Sequence, residues 1–158
     1  MIKIKKKIII DLDVVTVGKW DKGRYGNISR KFMIKAEKRD YYIITPFLLV
    51  ELVRKWKHKN LKAQIEEFYL KNSDELIERV KIIENIISKG IDFEEIFRKL
   101  LHSEIKEEDI TLILVSSLRD AVLVTFNKIH LRNKKLEINE ILSEYGLKTI
   151  KIISPEQI

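Results

Sequence analysis

At 158 residues the chain has the length of one domain, and a hydrophobic fraction of 45% is enough for a real core. Charged residues make up 35%, with both signs interspersed, which excludes the low-hydrophobicity, high-net-charge profile of a disordered chain. A net charge of +7 and a pI of about 9.4 favour polyanionic partners such as nucleic acid, and the lack of cysteine excludes disulfides and thiolate metal sites.

The opening MIKIKKKIII superficially resembles a signal peptide, but its apolar stretch stops at Asp11 and no small-residue cleavage site follows. No apolar run reaches the length of a membrane span, so no membrane association and a cytoplasmic location are expected. Lys7 to Asp11 reads instead as a buried, β-branched strand that ends in an acid. GKWDKGRYGN, with three glycines, reads as a loop, and ISRKFMIKAEKRD as a helix. Tyr41 to Ile44 reads as a second strand. Thr45 and Pro46 then predict a helix start, with threonine as the cap and proline at the first helical position, running through FLLVELVRKW. LKAQIEEFYLK is expected to be helical. So is SDELIERVKIIENIISKG, capped at Ser73 and stopped at Gly90, followed by helices over DFEEIFRKLL and KEEDITLILVSSL. Ala121 to Phe126 reads as another buried strand, INEILSEYG as a short helix, and KTIKII as the last strand, closed by Ser154 and Pro155. Strands alternating with helices predict an α/β fold, a parallel sheet flanked by helices on both faces, in one domain over 1–158.

In such sheets ligands bind beyond the carboxyl ends of the strands, which singles out Asp11 and the Thr125, Phe126, Asn127 segment. Glu51 is the one charged residue in FLLVELV, a helix apolar on nearly all sides and therefore expected to be sandwiched; the alternative is an ion pair with Lys55 one turn on. Asp109 opens ITLILVSSL, where an acid is also favoured by the helix dipole alone. Asp13 is either a second acid beside Asp11 or a turn residue. Crowded carboxylates raise one another's pKa, and a hard cation such as Mg²⁺ or Mn²⁺ removes that cost. Such an ion acidifies a bound water and clamps a phosphate oxygen. His58, His102 and His130 have no ligand spacing and read as isolated surface residues.

These stretches, in this order, resemble the PIN-domain family, close to its VapC-type toxin ribonucleases. IIIDLDVV is similar to the family's opening strand with its catalytic aspartate, at Asp11. IITPFLLVELV resembles the segment carrying the catalytic glutamate, at Glu51. EEDITLILVSSLRDAVLVTFNKIHL resembles the aspartate-led helix and the strand ending in threonine and an acid or amide, at Asp109, Thr125 and Asn127. INEILSEYGLKTIKIISPEQI resembles the closing helix, glycine turn, strand and proline. The resemblance implies a PIN-like three-layer fold and an endoribonuclease in which Asp11, Glu51 and Asp109 hold Mg²⁺ or Mn²⁺ and cut RNA. It further implies Asn127 as a neutral metal ligand or hydrogen-bonding support, a homodimer and an antitoxin partner. The family's fourth acid is here an asparagine, and bulkier residues fill the Asp109 helix.

Thr125 reads either as support for a metal-bound carboxylate or as an ordinary strand-end residue. Trp20 and Tyr25, among Lys19, Lys22 and Arg24, read either as a base-stacking, phosphate-gripping loop or as a loop clamped by its own aromatics. Two rival functions are an RNA- or partner-binding module whose metal site has decayed at Asn127, and a haloacid-dehalogenase-type phosphatase using the D-x-D pair Asp11 and Asp13. The latter leaves Glu51 and Asp109 unexplained.

Overall fold

The β-branched run Lys6–Ile10 forms β1, the central strand of a five-stranded sheet in a computed structural model that describes residues 4–158. The first lysine of the basic N-terminal flank, Lys3, lies outside the described residues. Side chains alternate across a strand, yet Ile8, Ile9 and Ile10 are all 0% exposed, so both faces of the sheet are covered. That is the three-layer α/β arrangement expected from the alternation of strands and helices.

The other strands are β2 (Tyr41–Pro46), β3 (Glu75–Ile77), β4 (Val122–Val124) and β5 (Ile152–Ile153). All pairings are parallel, in the order β3-β2-β1-β4-β5. The chain steps outward from β1 through β2 to β3, then returns to the other side of β1 at β4. The gap between the carboxyl ends of β1 and β4 is therefore the topological switch point of the sheet.

Among the described residues there are eight α-helices. Helices α1 (Leu12–Trp20) and α2 (Arg24–Glu37) link β1 to β2, and α3 (Phe47–Arg54) and α4 (Lys59–Asn72) link β2 to β3. Helices α5 (Arg79–Ser88), α6 (Phe93–His102) and α7 (Glu107–Arg119) link β3 to β4, and α8 (Lys135–Glu144) links β4 to β5. Buried apolar residues from both layers form one continuous cluster, to which α7 contributes Ile110, Leu112, Ile113, Leu114 and Val115. Among the described residues no helix is long and apolar enough to cross a membrane.

Three expectations change. The glycine-rich segment after Asp11 is not a loop: α1 runs through Gly18 and α2 begins at Arg24. A β-carbon on Gly18 would lie 2.4 Å from Met33 Sδ, and one on Gly26 only 1.9 Å from the Asp21 carbonyl oxygen, so these glycines permit close packing rather than a turn. The expected helix from Ser73 to Gly90 is split. Asp74 N donates to the Ile43 carbonyl at 2.8 Å and the Asp74 carboxylate accepts from Ile43 N at 2.8 Å, which docks Glu75–Ile77 on β2 as a strand. Neither Ser73 nor Thr45 supplies the expected N-cap: their hydroxyls meet each other at 2.6 Å, and Ser73 instead closes the C-terminal end of α4. Gly90 and Gly146 do end their helices, at φ +78° and +74°.

Candidate active site

Asp11 follows β1 directly and caps α1: its Oδ1 accepts from Leu12 N at 2.7 Å, placing a carboxylate at the positive end of the helix. Its other oxygen accepts from Thr125 Oγ1 at 2.7 Å. Thr125 is the residue after β4, so this bond joins the two strand ends across the switch point. Thr125 is fully buried, and its oxygen also accepts from Asn127 N at 3.0 Å. One hydroxyl thus orients Asp11 and ties down the loop that carries Asn127.

The backbone turns helical at Leu12, so Asp13 sits in the first turn of α1 rather than on an extended strand. Its Oδ2 lies 3.4 Å from Thr125 Oγ1, and its Oδ1 accepts weakly from Phe126 N at 3.4 Å. Asp109 stands in the first turn of α7 and is 7% exposed. Burial pushes Asp13 up to about 7, with Asp11 adding repulsion. Asp109 is raised to about 7 by burial, then by Asp11 and Glu108, against a smaller pull from Lys106. Asp11, 8% exposed, is raised by burial despite its hydrogen bonds from Thr125 and Leu12.

These groups line a cavity of about 540 Å³ that Lys106 and Glu108 also line, with Leu49, Leu52, Trp56 and Leu112 as apolar walls. A larger groove of about 860 Å³ lies over α5 and α6 among Ile83, Ile87, Phe93 and Phe97, away from these acids.

Asn127 reaches the same cavity with its amide turned in one sense. Its Oδ1 accepts from His130 N at 3.0 Å, which leaves Nδ2 facing Asp109 Oδ2 at 3.5 Å. The side chain offers the site a donor. The metal-ligand role expected for it needs the carbonyl oxygen, which is committed to the backbone.

Glu51 is not brought to this cluster. Leu49, Val50 and Val53 form the buried side of α3, and at about 100° per residue Glu51 and Arg54 fall on the opposite, exposed side. The expected sandwiched carboxylate is therefore a solvent-facing one. The ion pair with Lys55 is absent too, since Glu51 has no ion-pair partner among the described residues.

Three contributors had no signal in the sequence. Tyr69 on α4 is fully buried and donates from its hydroxyl to the Ile10 carbonyl at 2.8 Å, bracing the strand end next to Asp11. Burial, then Asp11 and Asp13, hold that phenol in its neutral donor form. Lys106 and Trp56 join only through tertiary packing. His58, expected to be isolated, caps α4 through Nδ1 and packs edge-on against Trp20.

Among the described residues no three His, Cys, Asp or Glu side chains stand close enough to form a ready-made metal site. The donor chemistry nonetheless fits a hard divalent cation: three carboxylates crowded at one cavity, held above the ordinary carboxylate range by burial and, for Asp13 and Asp109, by repulsion from Asp11. No protein-family model matches the chain, and no curated protein or solved structure matches it.

Proposed function

We propose that this chain is a divalent-metal-dependent ribonuclease of the PIN type, hydrolysing RNA phosphodiesters at the cavity lined by Asp11, Asp13 and Asp109. The observation that carries this reading is the meeting of Asp11 and Asp109. They are 98 positions apart by the numbering, yet both are buried in one cavity at the switch point, where the charge of Asp11 helps to raise Asp109.

Asp11 and Asp109 would hold Mg²⁺ or Mn²⁺, with Asp13 beside them. Bound there, such an ion would neutralise the crowded acids and would supply an acidified water and a hold on the substrate phosphate. Thr125 fixes the orientation of Asp11, and Asn127 steadies Asp109 from the far side. Lys106, at the start of α7, offsets negative charge at the cavity where a phosphate would lie. The same resemblance brings a homodimer, an antitoxin partner and a cytoplasmic location into the proposal; the chemistry depends on none of them.

A second reading, an RNA- or partner-binding module, is favoured by two observations: Glu51 faces solvent and Asn127 presents a donor where a ligand was expected. Incubation of labelled mixed-sequence RNA with the protein separates the two. The nuclease reading expects cutting in Mn²⁺ or Mg²⁺, none in EDTA, and none by Asp11→Asn. RNA bound but intact in every metal would leave the binding module standing instead.

A further inference from the structure

The acidic cavity has a neighbour. A groove of about 610 Å³ is lined by Val17, Tyr25, Phe126, Lys128 and Arg132, together with Asp21 and Glu156. Val17 lines both spaces, and Phe126 in the groove is followed directly by Asn127 in the acidic cavity. Adjacent Cα atoms are about 3.8 Å apart, so the groove begins where the acidic site ends.

The groove has the composition of a nucleotide site. Tyr25 is 59% exposed and stands edge-on to Phe126 with centroids 5.6 Å apart. That contact fixes the ring while leaving it accessible to a base. Lys128 and Arg132 have no ion-pair partner among the described residues. Asp21 is already engaged, accepting from Gly26 N at 2.9 Å. A ring with two free cations beside a buried acidic site matches an unpaired base followed by its phosphate. Trp20, the other exposed aromatic of this region, packs on His58 and is not among the groove's lining residues.

Resting on the ribonuclease reading, we propose that this groove is the subsite for the nucleotide next to the scissile phosphate. Tyr25 stacks its base, Lys128 and Arg132 bind its backbone, and the substrate class is single-stranded RNA. A duplex, whose bases are already stacked, cannot offer a face to Tyr25.

The test is binding of a fluorescent single-stranded oligoribonucleotide in EDTA, where the RNA stays intact, followed by anisotropy at several salt concentrations. Tyr25→Ala is expected to weaken binding about tenfold or more, and Tyr25→Phe to keep it. A Lys128→Ala/Arg132→Ala double variant is expected to weaken binding and flatten the salt dependence by about 0.7 per lost phosphate contact. Circular dichroism confirms that each variant is folded. Wild-type affinity and salt slope in both Tyr25→Ala and the double variant would overturn the subsite, as would a wild type that binds no single-stranded RNA. Tyr25-dependent binding without cleavage in Mn²⁺ would sink the nuclease reading and keep the subsite. Cleavage by both variants with unchanged KM would do the reverse.

Discussion

Thr125 is the residue through which the site is most directly adjustable. Its hydroxyl, itself out of contact with solvent, donates to Asp11 and accepts from Asn127 N. Thr125→Val keeps the shape and removes both bonds, leaving buried groups unpaired. It is expected to lower stability by about 1–3 kcal/mol in urea unfolding and to reduce Mn²⁺ affinity by about 10–100-fold in calorimetry. Asn127 behaves differently because its oxygen is committed to His130. Asn127→Asp places a carboxylate opposite Asp109, so the metal-free protein loses stability while Mn²⁺ affinity rises; an affinity no higher than wild type would mean that position 127 does not face the ion. Glu51→Gln is expected to leave Mn²⁺ affinity unchanged, since that side chain faces solvent. The raised carboxylates also set a pH dependence. Folded-state values above the unfolded 3.8 mean that the native state holds these protons more tightly. Their stabilisation is complete below about pH 4 and is lost as pH rises through about 7. In EDTA the stability should therefore fall between about pH 4 and pH 7, by an amount on the order of a few kcal/mol, and the melting temperature should fall with it. Added Mn²⁺ should restore it at the higher pH and do little at the lower one.

At the scale of elements, α1 and α2 decide how Asp11 and Asp13 are held. Gly26→Ala drives a β-carbon into the Asp21 carbonyl and is expected to destabilise the protein by about 2 kcal/mol or more. Gly18→Ala meets mainly the mobile end of Met33 and gains helix propensity, so urea unfolding should show a much smaller loss. These two glycines also explain where sequence reading stopped. A cluster of glycines signals a turn, and the packing need that makes them glycine is visible only once two helices cross. The β-branched runs Ile8 to Ile10 and Val122 to Val124 were legible because a strand buried on both faces must be continuously apolar. The strand Glu75–Ile77 was not, because three residues held by one carboxylate from Asp74 carry no periodicity of their own. At the site, Asp11, Asp109 and Thr125 were legible as chemical types at strand and helix ends. The rotation of α3 that turns Glu51 outward, and the sense of the Asn127 amide, are set by tertiary contacts that no local pattern encodes.

At the scale of the molecule, the strand order brings two distant segments together. β1 and β4 are neighbours in the sheet with more than a hundred residues between them, and each is followed directly by one residue of the same hydrogen-bonded pair. The chain as a whole carries a net charge of +7, so polyanion capture is expected to weaken steeply with salt. The central claim is that Asp11 and Asp109 act as one site on RNA. It is tested most directly by the rate of cutting of a labelled RNA in Mn²⁺ by wild type, Asp11→Asn, Asp109→Asn and the double variant. Groups that work as a unit are not additive. Each single variant should fall to the same floor and the double variant no lower. Cutting by Asp109→Asn at the wild-type rate, or no cutting by wild type in any divalent metal, would contradict the claim.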